Sequence, residues 1–355
     1  MDTWQAKRQA VLSTIWADGA IPTNRTVPDS VEPHATLANV SWLVWDISAD
    51  GGVAPYPMNA TAWYHPIRAD ARSRAVILMH CGHDLQDDGV PPRLVRPNAT
   101  VSAWVHGTLE LDYIYLWMPL YGANQQHGYP PHHGAFFPQW QAAGVRTLRY
   151  FLEPAALAVN YALSTLGYEA AYMAGLSGGG WTTTVYAAID PRVPISLPLA
   201  GSLPWYLFPD HQQGDYEQRP QPGVSDWYLS QANFTELYVL AALEPGRVSV
   251  QVLHEDDPCC FHGRGRHDTI LGYDRRVAAV LSSLRSGGGG VFSTAISDWN
   301  VHEWDNRSRS IVAAALREAI ARPRAPRLDR LPCDILQHAP DAVPCPAGVS
   351  GFAAG

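Results

Sequence analysis

Ala170-Ala171-Tyr172-Met173-Ala174-Gly175-Leu176-Ser177-Gly178-Gly179, with the apolar stretch 181–189 behind it, decides how this chain is read. The short run before Gly175 suits a strand buried inside a sheet. Residues 181–189 suit a buried helix, which Asp190-Pro191 stops. Between them stands Gly-x-Ser-x-Gly. A turn from strand to helix this tight strains the serine backbone, and side chains at the flanking positions would collide with it, so glycine is required on both sides. The amides that follow form a helix N-terminus, where unpaired N–H groups and the helix dipole stabilise a developing oxyanion. The pattern reads as a nucleophilic serine and predicts acyl chemistry.

Working outward, residues 40–47 and 61–67 alternate and carry β-branched and aromatic side chains, as half-exposed strands do. The compact apolar runs 74–80 and 113–118 predict strands buried on both faces. A helical period over 146–166 leads into the strand before the serine. Beyond residue 189 the chain predicts a strand at 193–199, a helix at 226–243 and a strand at 247–253. A helix at 268–285, a strand at 291–296 and a helix at 308–321 complete the pattern. Strands alternating with helices imply an α/β fold with a mostly parallel sheet flanked by helices, its two N-terminal strands pairing antiparallel at the edge.

The chain has 355 residues, 46% of them hydrophobic, enough for one large core, and no low-complexity linker divides it; Gly287-Gly288-Gly289-Gly290 reads as a helix-to-strand loop. We expect an N-terminal extension at 1–39, a catalytic domain at 40–321 with loop insertions near 121–145 and 202–228, and a Pro-rich tail at 322–355. A net charge of −8 argues against a nucleic-acid partner. No apolar run reaches the ~18 to 20 residues of a membrane span.

Six of the nine asparagines, Asn24, Asn39, Asn59, Asn98, Asn233 and Asn306, stand in Asn-x-Ser/Thr. Chance would place about one there, so the excess predicts N-glycans and passage through a secretory lumen or secretion. The start, Met1-Asp2-Thr3-Trp4, shows no charged region followed by an apolar one, so no signal peptide is visible. Of five cysteines, Cys333 and Cys345 bracket the tail and form a plausible bridge. The adjacent Cys259 and Cys260 bond to each other only under strain, or find other partners, and Cys81 interrupts His80-Cys81-Gly82-His83-Asp84. None has zinc spacing.

This order of elements resembles the α/β-hydrolase superfamily, serine esterases in particular, over roughly residues 40–321. In that fold the nucleophile follows the fifth strand, the acid the seventh and the histidine the eighth. The resemblance therefore implies Ser177 as nucleophile and His302 as base, with His267 as runner-up. The acid lies in Glu255-Asp256-Asp257; Asp257 is favoured because Pro258 fixes the turn behind it, and Asp256 comes next. It also implies an oxyanion hole built from the Gly178 amide and one from the 80–84 loop, His83 rather than Gly82. His80, His83 and Asp84, or His127, His132 and His133, could be read as two metal-ligand sets. The first coincides with the oxyanion loop and the second lacks a carboxylate, so a loop role is the default and no metal or cofactor is expected.

Two long segments sit where such a fold builds its binding site, one with Tyr121, Tyr129, Phe136, Phe137 and Trp140, the other with Trp205, Tyr206, Phe208, Trp227 and Tyr228. Poor in charge and rich in Pro and Gly, they read as loops, not a helical lid. Tyr121 and Trp205 are the expected substrate contacts, although such aromatics equally serve to pack loops down. The expected function is hydrolysis of carboxylic esters, of small acyl or carbohydrate type, through an acyl-enzyme. The alternatives are a silent binding glycoprotein, a lipase or a peptidase on the same fold.

Overall fold

The computed structural model describes residues 2–47, 58–67, 73–83, 98–125, 133–207, 215–218, 230–261, 267–284, 290–297, 300–322, 326 and 328. His127, Tyr129, His132, Asp84, Phe208, Trp227, Tyr228, Cys333, Cys345 and nearly all of the tail lie outside them, as does the side chain of His267.

The strands are β1 (Ser30–Pro33), β2 (Ser41–Asp46), β3 (Asn59–His65), β4 (Ala75–His80), β5 (Asp112–Leu116), β6 (Ala170–Leu176), β7 (Ile195–Leu199), β8 (Val248–His254) and β9 (Val291–Ser297). They form one sheet in the order β1-β2-β3-β5-β4-β6-β7-β8-β9. From β5 to β9 neighbours run parallel; β1 to β3, and β3 against β5, run antiparallel. Every residue of β4, β5, β7 and β8 is buried, which explains the compact apolar runs read at β4 and β5. The edge is one strand further out than expected: four-residue β1, half exposed along its length, lies in what reads as extension.

Among the described residues the helices are α1 (Asp2–Ile15), α2 (Ala99–Trp104), α3 (Phe137–Ala142), α4 (Leu148–Asn160), α5 (Gly178–Ile189), α6 (Phe234–Ala241), α7 (His267–Ser283) and α8 (Asn306–Ala321). The first insertion thus contains a short helix, α3, with proline in its first turn, where a missing N–H costs nothing. The sequence expected only loop there. Helix α6 starts at residue 234, because Asn233 and Glu236 close a reciprocal capping box.

All twelve residues of α5 are buried. Its three consecutive threonines remain satisfied, because Thr182, Thr183 and Thr184 each donate to the carbonyl four residues back, at 3.0, 2.8 and 3.0 Å. Buried arginines close its far end. Arg8 of α1 donates to Ala188 O at 2.9 Å and Leu240 O at 3.1 Å, and Arg247 donates to Ala187, Asp190 and Val193 carbonyls. Both pair with Glu244. These side chains occupy the orphan carbonyls of a helix C-terminus, so α1 is part of the layer that holds α5.

Candidate functional site

The registers His80↔Gly175, Leu176↔Leu199 and His254↔Ser297 bring the C-terminal ends of β4, β6, β7, β8 and β9 to one rim. Ser177 stands there between β6 and α5, with φ 57° and ψ −124°, a conformation costly for any residue with a Cβ. Contacts hold it in place: its amide donates to Leu199 O at 3.0 Å, and its carbonyl accepts the first helical bond from Trp181 N at 2.9 Å. A Cβ on Gly175 would lie 2.3 Å from Gly179 O, and one on Gly179 would lie 2.2 Å from His80 O. Both glycines are therefore required by close approach of backbone to backbone.

Asp257 follows β8 and His302 follows β9. His302 Nδ1 donates to Asp257 Oδ2 at 2.7 Å, with the carboxylate fully buried and the ring 19% exposed. The other oxygen, Oδ1, accepts from the Cys259 and Cys260 amides at 2.8 and 3.1 Å, so three donors fix the carboxylate. Cys259 and Cys260 are bonded to each other. Because Nδ1 carries the proton, Nε2 of a neutral His302 presents a lone pair. That atom is buried and accepts no hydrogen bond among the described residues, the Ser177 hydroxyl included. Glu255 and Asp256 are half-buried neighbours outside this pair.

Neither a family model nor a curated protein matches the chain. Solved structures do. Acetyl Xylan Esterase 1 from Thermoanaerobacterium sp. JW/SL YS485 aligns with 89% of this chain and 93% of its own, at 11% identity and a TM-score of 0.54. Methylesterase BT1017 aligns with 90% of this chain and 63% of its own, at 12% identity and a TM-score of 0.53. This is the α/β-hydrolase fold. The additional edge strand β1 explains why the serine follows β6 here, one strand later than the superfamily's own count.

In the hydrolase fold the loop after β4 faces the elbow. His80 is wholly buried, and burial pushes its pKa down to about 3, so its ring is neutral. Its Nδ1 accepts from the Gly82 amide at 3.2 Å, which commits that amide and removes His80 as a metal ligand. The next residue, His83, lays its ring over the elbow: a Cβ on Gly178 would meet His83 Cε1 at 2.6 Å and Nδ1 at 2.8 Å.

Tyr121, expected at the substrate, is buried at 2% exposure, with its ring edge-on to His83 and His133 at 4.8 and 5.3 Å. That is a supporting position against the rings of His83 and His133. Trp205 is half-buried on a short 3-10 turn, Trp205–Leu207, and packs against the core. Phe137, fully buried, stacks on Trp140 at 5.3 Å and meets Phe151 edge-on, so this part of the first insertion is packed down. Asn124 ties its start: its Oδ1 accepts from Thr61 N and Oγ1 at 2.7 Å, while its Nδ2 donates to Trp117 and Met118 carbonyls.

Sequence reasoning missed Glu217. It is buried, and its Oε2 lies 3.0 Å from His133 Nε2. The two metal-ligand readings kept His83 and His133 in separate sets, whereas the fold brings their Nε2 atoms to 3.4 Å.

Proposed function

We propose that this chain is a serine hydrolase of carboxylic esters, acting on small acyl or carbohydrate esters through an acyl-enzyme. The observation that carries the reading is the buried Asp257–His302 pair, with an imidazole Nε2 that has no partner among the described residues, on the rim that bears a strained Ser177 at a helix N-terminus. In this reading His302 Nε2 takes the Ser177 proton as the hydroxyl attacks the ester carbonyl. Asp257 stabilises the imidazolium that results, and the ring returns the proton to the leaving alcohol. The serine–histidine bond closes in the substrate complex, as catalytic bonds of free enzymes commonly do. The Gly178 and His83 amides receive the oxyanion; one such donor is worth ~3 to 4 kcal/mol. Two fold relatives bear the names acetyl xylan esterase and methylesterase, which supports a small acyl or alkyl group on a carbohydrate.

A fluorophosphonate probe should label the protein and fail to label Ser177→Ala, and p-nitrophenyl esters of graded acyl length should be cleaved fastest at the short end. No serine-dependent labelling, with no ester cleaved, would leave a binding glycoprotein on this fold.

We also infer a secretory route with N-glycans. Asn24, Asn39, Asn59, Asn233 and Asn306 are exposed and Asn98 is half-buried, whereas Asn124 and Asn160, outside sequons, are buried with Nδ2 spent on backbone carbonyls. The Cys259–Cys260 bond fits an oxidising compartment. Expression in a eukaryotic secretory host should yield protein whose mass falls on treatment with a peptide N-glycosidase; an unshifted mass would remove the inference.

A further inference from the structure

We propose that His83, His133 and Glu217 form a site for a divalent cation of zinc type, beside the elbow and independent of the catalytic reading. His83 comes from the loop after β4, His133 from the short turn His133–Ala135 in the first insertion, and Glu217 from the turn 216–218 in the second. Their ligand atoms all lie within 4.8 Å of one another.

The first argument is protonation. His133 Nδ1 lies 3.0 Å from Pro119 O, an acceptor only, so Nδ1 carries the hydrogen and donates it. In the neutral ring Nε2 is then a lone pair, and it faces Glu217 Oε2 at 3.0 Å and His83 Nε2 at 3.4 Å. His83 Nε2 in turn lies 3.3 Å from Glu217 Oε1. A proton on His133 Nε2 would satisfy the edge to Glu217 alone. A metal ion takes the His133 lone pair, the His83 imidazole and the carboxylate together. Donation of the second ring nitrogen to a backbone carbonyl is also how ligating histidines are commonly oriented.

The second argument is metric. Zinc bonds to nitrogen and oxygen at about 2.0–2.1 Å, so in a tetrahedral site neighbouring ligand atoms stand about 3.3–3.4 Å apart. Here the two Nε2 atoms stand 3.4 Å apart, the length of such an edge, and each faces its own oxygen of Glu217, His83 Nε2 at 3.3 Å from Oε1 and His133 Nε2 at 3.0 Å from Oε2, so the carboxylate is within reach of an ion held between the rings. A second carboxylate, partly exposed, stands beside the set: Asp215 Oδ2 lies 3.3 Å from His83 Nε2. Rings of Tyr121, Phe137, Phe151 and Tyr216 enclose His133, and its side chain and that of Glu217 are fully buried. Two imidazoles and a carboxylate in a dry aromatic shell suit zinc over magnesium or calcium. A cation held there would pin the ring that covers Gly178 to both insertions.

The test uses the full chain under non-reducing conditions, loaded by dialysis against zinc and then against metal-free buffer, with metal content read by plasma mass spectrometry. About one zinc per chain should remain, and cobalt(II) added to chelator-stripped protein should give the intense visible bands of a tetrahedral ion. Ser177→Ala should keep both signals. His133→Ala and Glu217→Gln should each weaken binding at least tenfold, and Glu217→Gln, which changes one atom, serves as the reference should His133→Ala fail to fold. Zinc undiminished in Glu217→Gln, or no retained zinc and no cobalt bands in the parent chain, would overturn the site and leave a protonated His133–Glu217 pair. Zinc bound only after reduction and lost in Cys259→Ser would equally overturn it, assigning the metal to Cys259, Cys260 and His302, which also cluster within 4.8 Å.

Discussion

Two imidazole–carboxylate pairs flank the elbow, and they are wired in opposite senses. In His302–Asp257 the carboxylate takes Nδ1–H, so the outer nitrogen, Nε2, is left without a partner among the described residues. In His133–Glu217 a backbone carbonyl takes Nδ1–H, so the outer nitrogen meets the carboxylate and a second imidazole. The first arrangement fixes the tautomer, so that Nε2 is the nitrogen with the lone pair. The second leaves a cluster of lone pairs that calls for a cation. In the roles proposed above, the same two residue types would divide between proton transfer and ligation according to which ring nitrogen faces the acid.

The largest effect that could break this contrast is in catalysis. His302→Ala should lower kcat for a short-chain ester by about ten-thousand- to million-fold, while His133→Ala should change it by no more than about thirtyfold; comparable losses in the two would erase the distinction. Asp257→Asn should cost roughly a thousand- to ten-thousand-fold in kcat, with the thermal midpoint almost unmoved, since the amide keeps the shape but favours the wrong tautomer. A loss below tenfold would shift the acid's role to Asp256.

Glu217→Gln should act the other way round. Removing the carboxylate from a buried cluster destabilises by about 3–5 kcal/mol, so calorimetry should show a midpoint roughly 4–7 °C lower in a chain of 355 residues, against less than tenfold in kcat. An unchanged midpoint would mean that the Glu217 carboxylate contributes nothing to holding the two insertions together.

The smallest effect concerns histidines that neither pair uses. Burial holds His80 at about 3, and burial with the neighbouring His106 and His34 holds His65 at about 4, both below the ordinary 6.5. Between those values and 6.5 the unfolded chain binds protons that the native state refuses. Stability is therefore complete above pH 6.5 and falls as pH drops towards 4 and then 3, by about 1.4 kcal/mol per pH unit for His80 and less for the partly exposed His65. Denaturant titrations at pH 7, 5.5 and 4.5 should show that decline, shallower in His80→Asn; a flat profile would contradict burial of neutral rings.

What the sequence discloses is what periodicity and turn chemistry encode. A buried parallel strand such as β4 is a nearly continuous apolar run, and Gly175, Ser177 and Gly179 mark their own turn. The loops carrying Asp257 and His302 follow from strand order. Strand β1 escapes notice because four residues ending in Pro33 carry no periodic signal. Glu217 escapes because it stands in a segment where only the aromatics draw attention, and nothing local says that it meets histidines from two other segments. Tyr121 is misjudged for a related reason: an aromatic at a loop start reads alike whether it faces a ligand or, as here, the back of a histidine. The boundary at residue 234 was legible as Asn-x-x-Glu.

Helix α1 carries a consequence for biosynthesis. Arg8 anchors to Ala188, 180 residues later, and to Glu244, 236 residues later. Translation adds about 5–20 residues per second, so on the ribosome α1 waits on the order of ten seconds or longer before its docking surface exists. Until then its apolar side, Val11, Leu12 and Ile15, is open to chaperones.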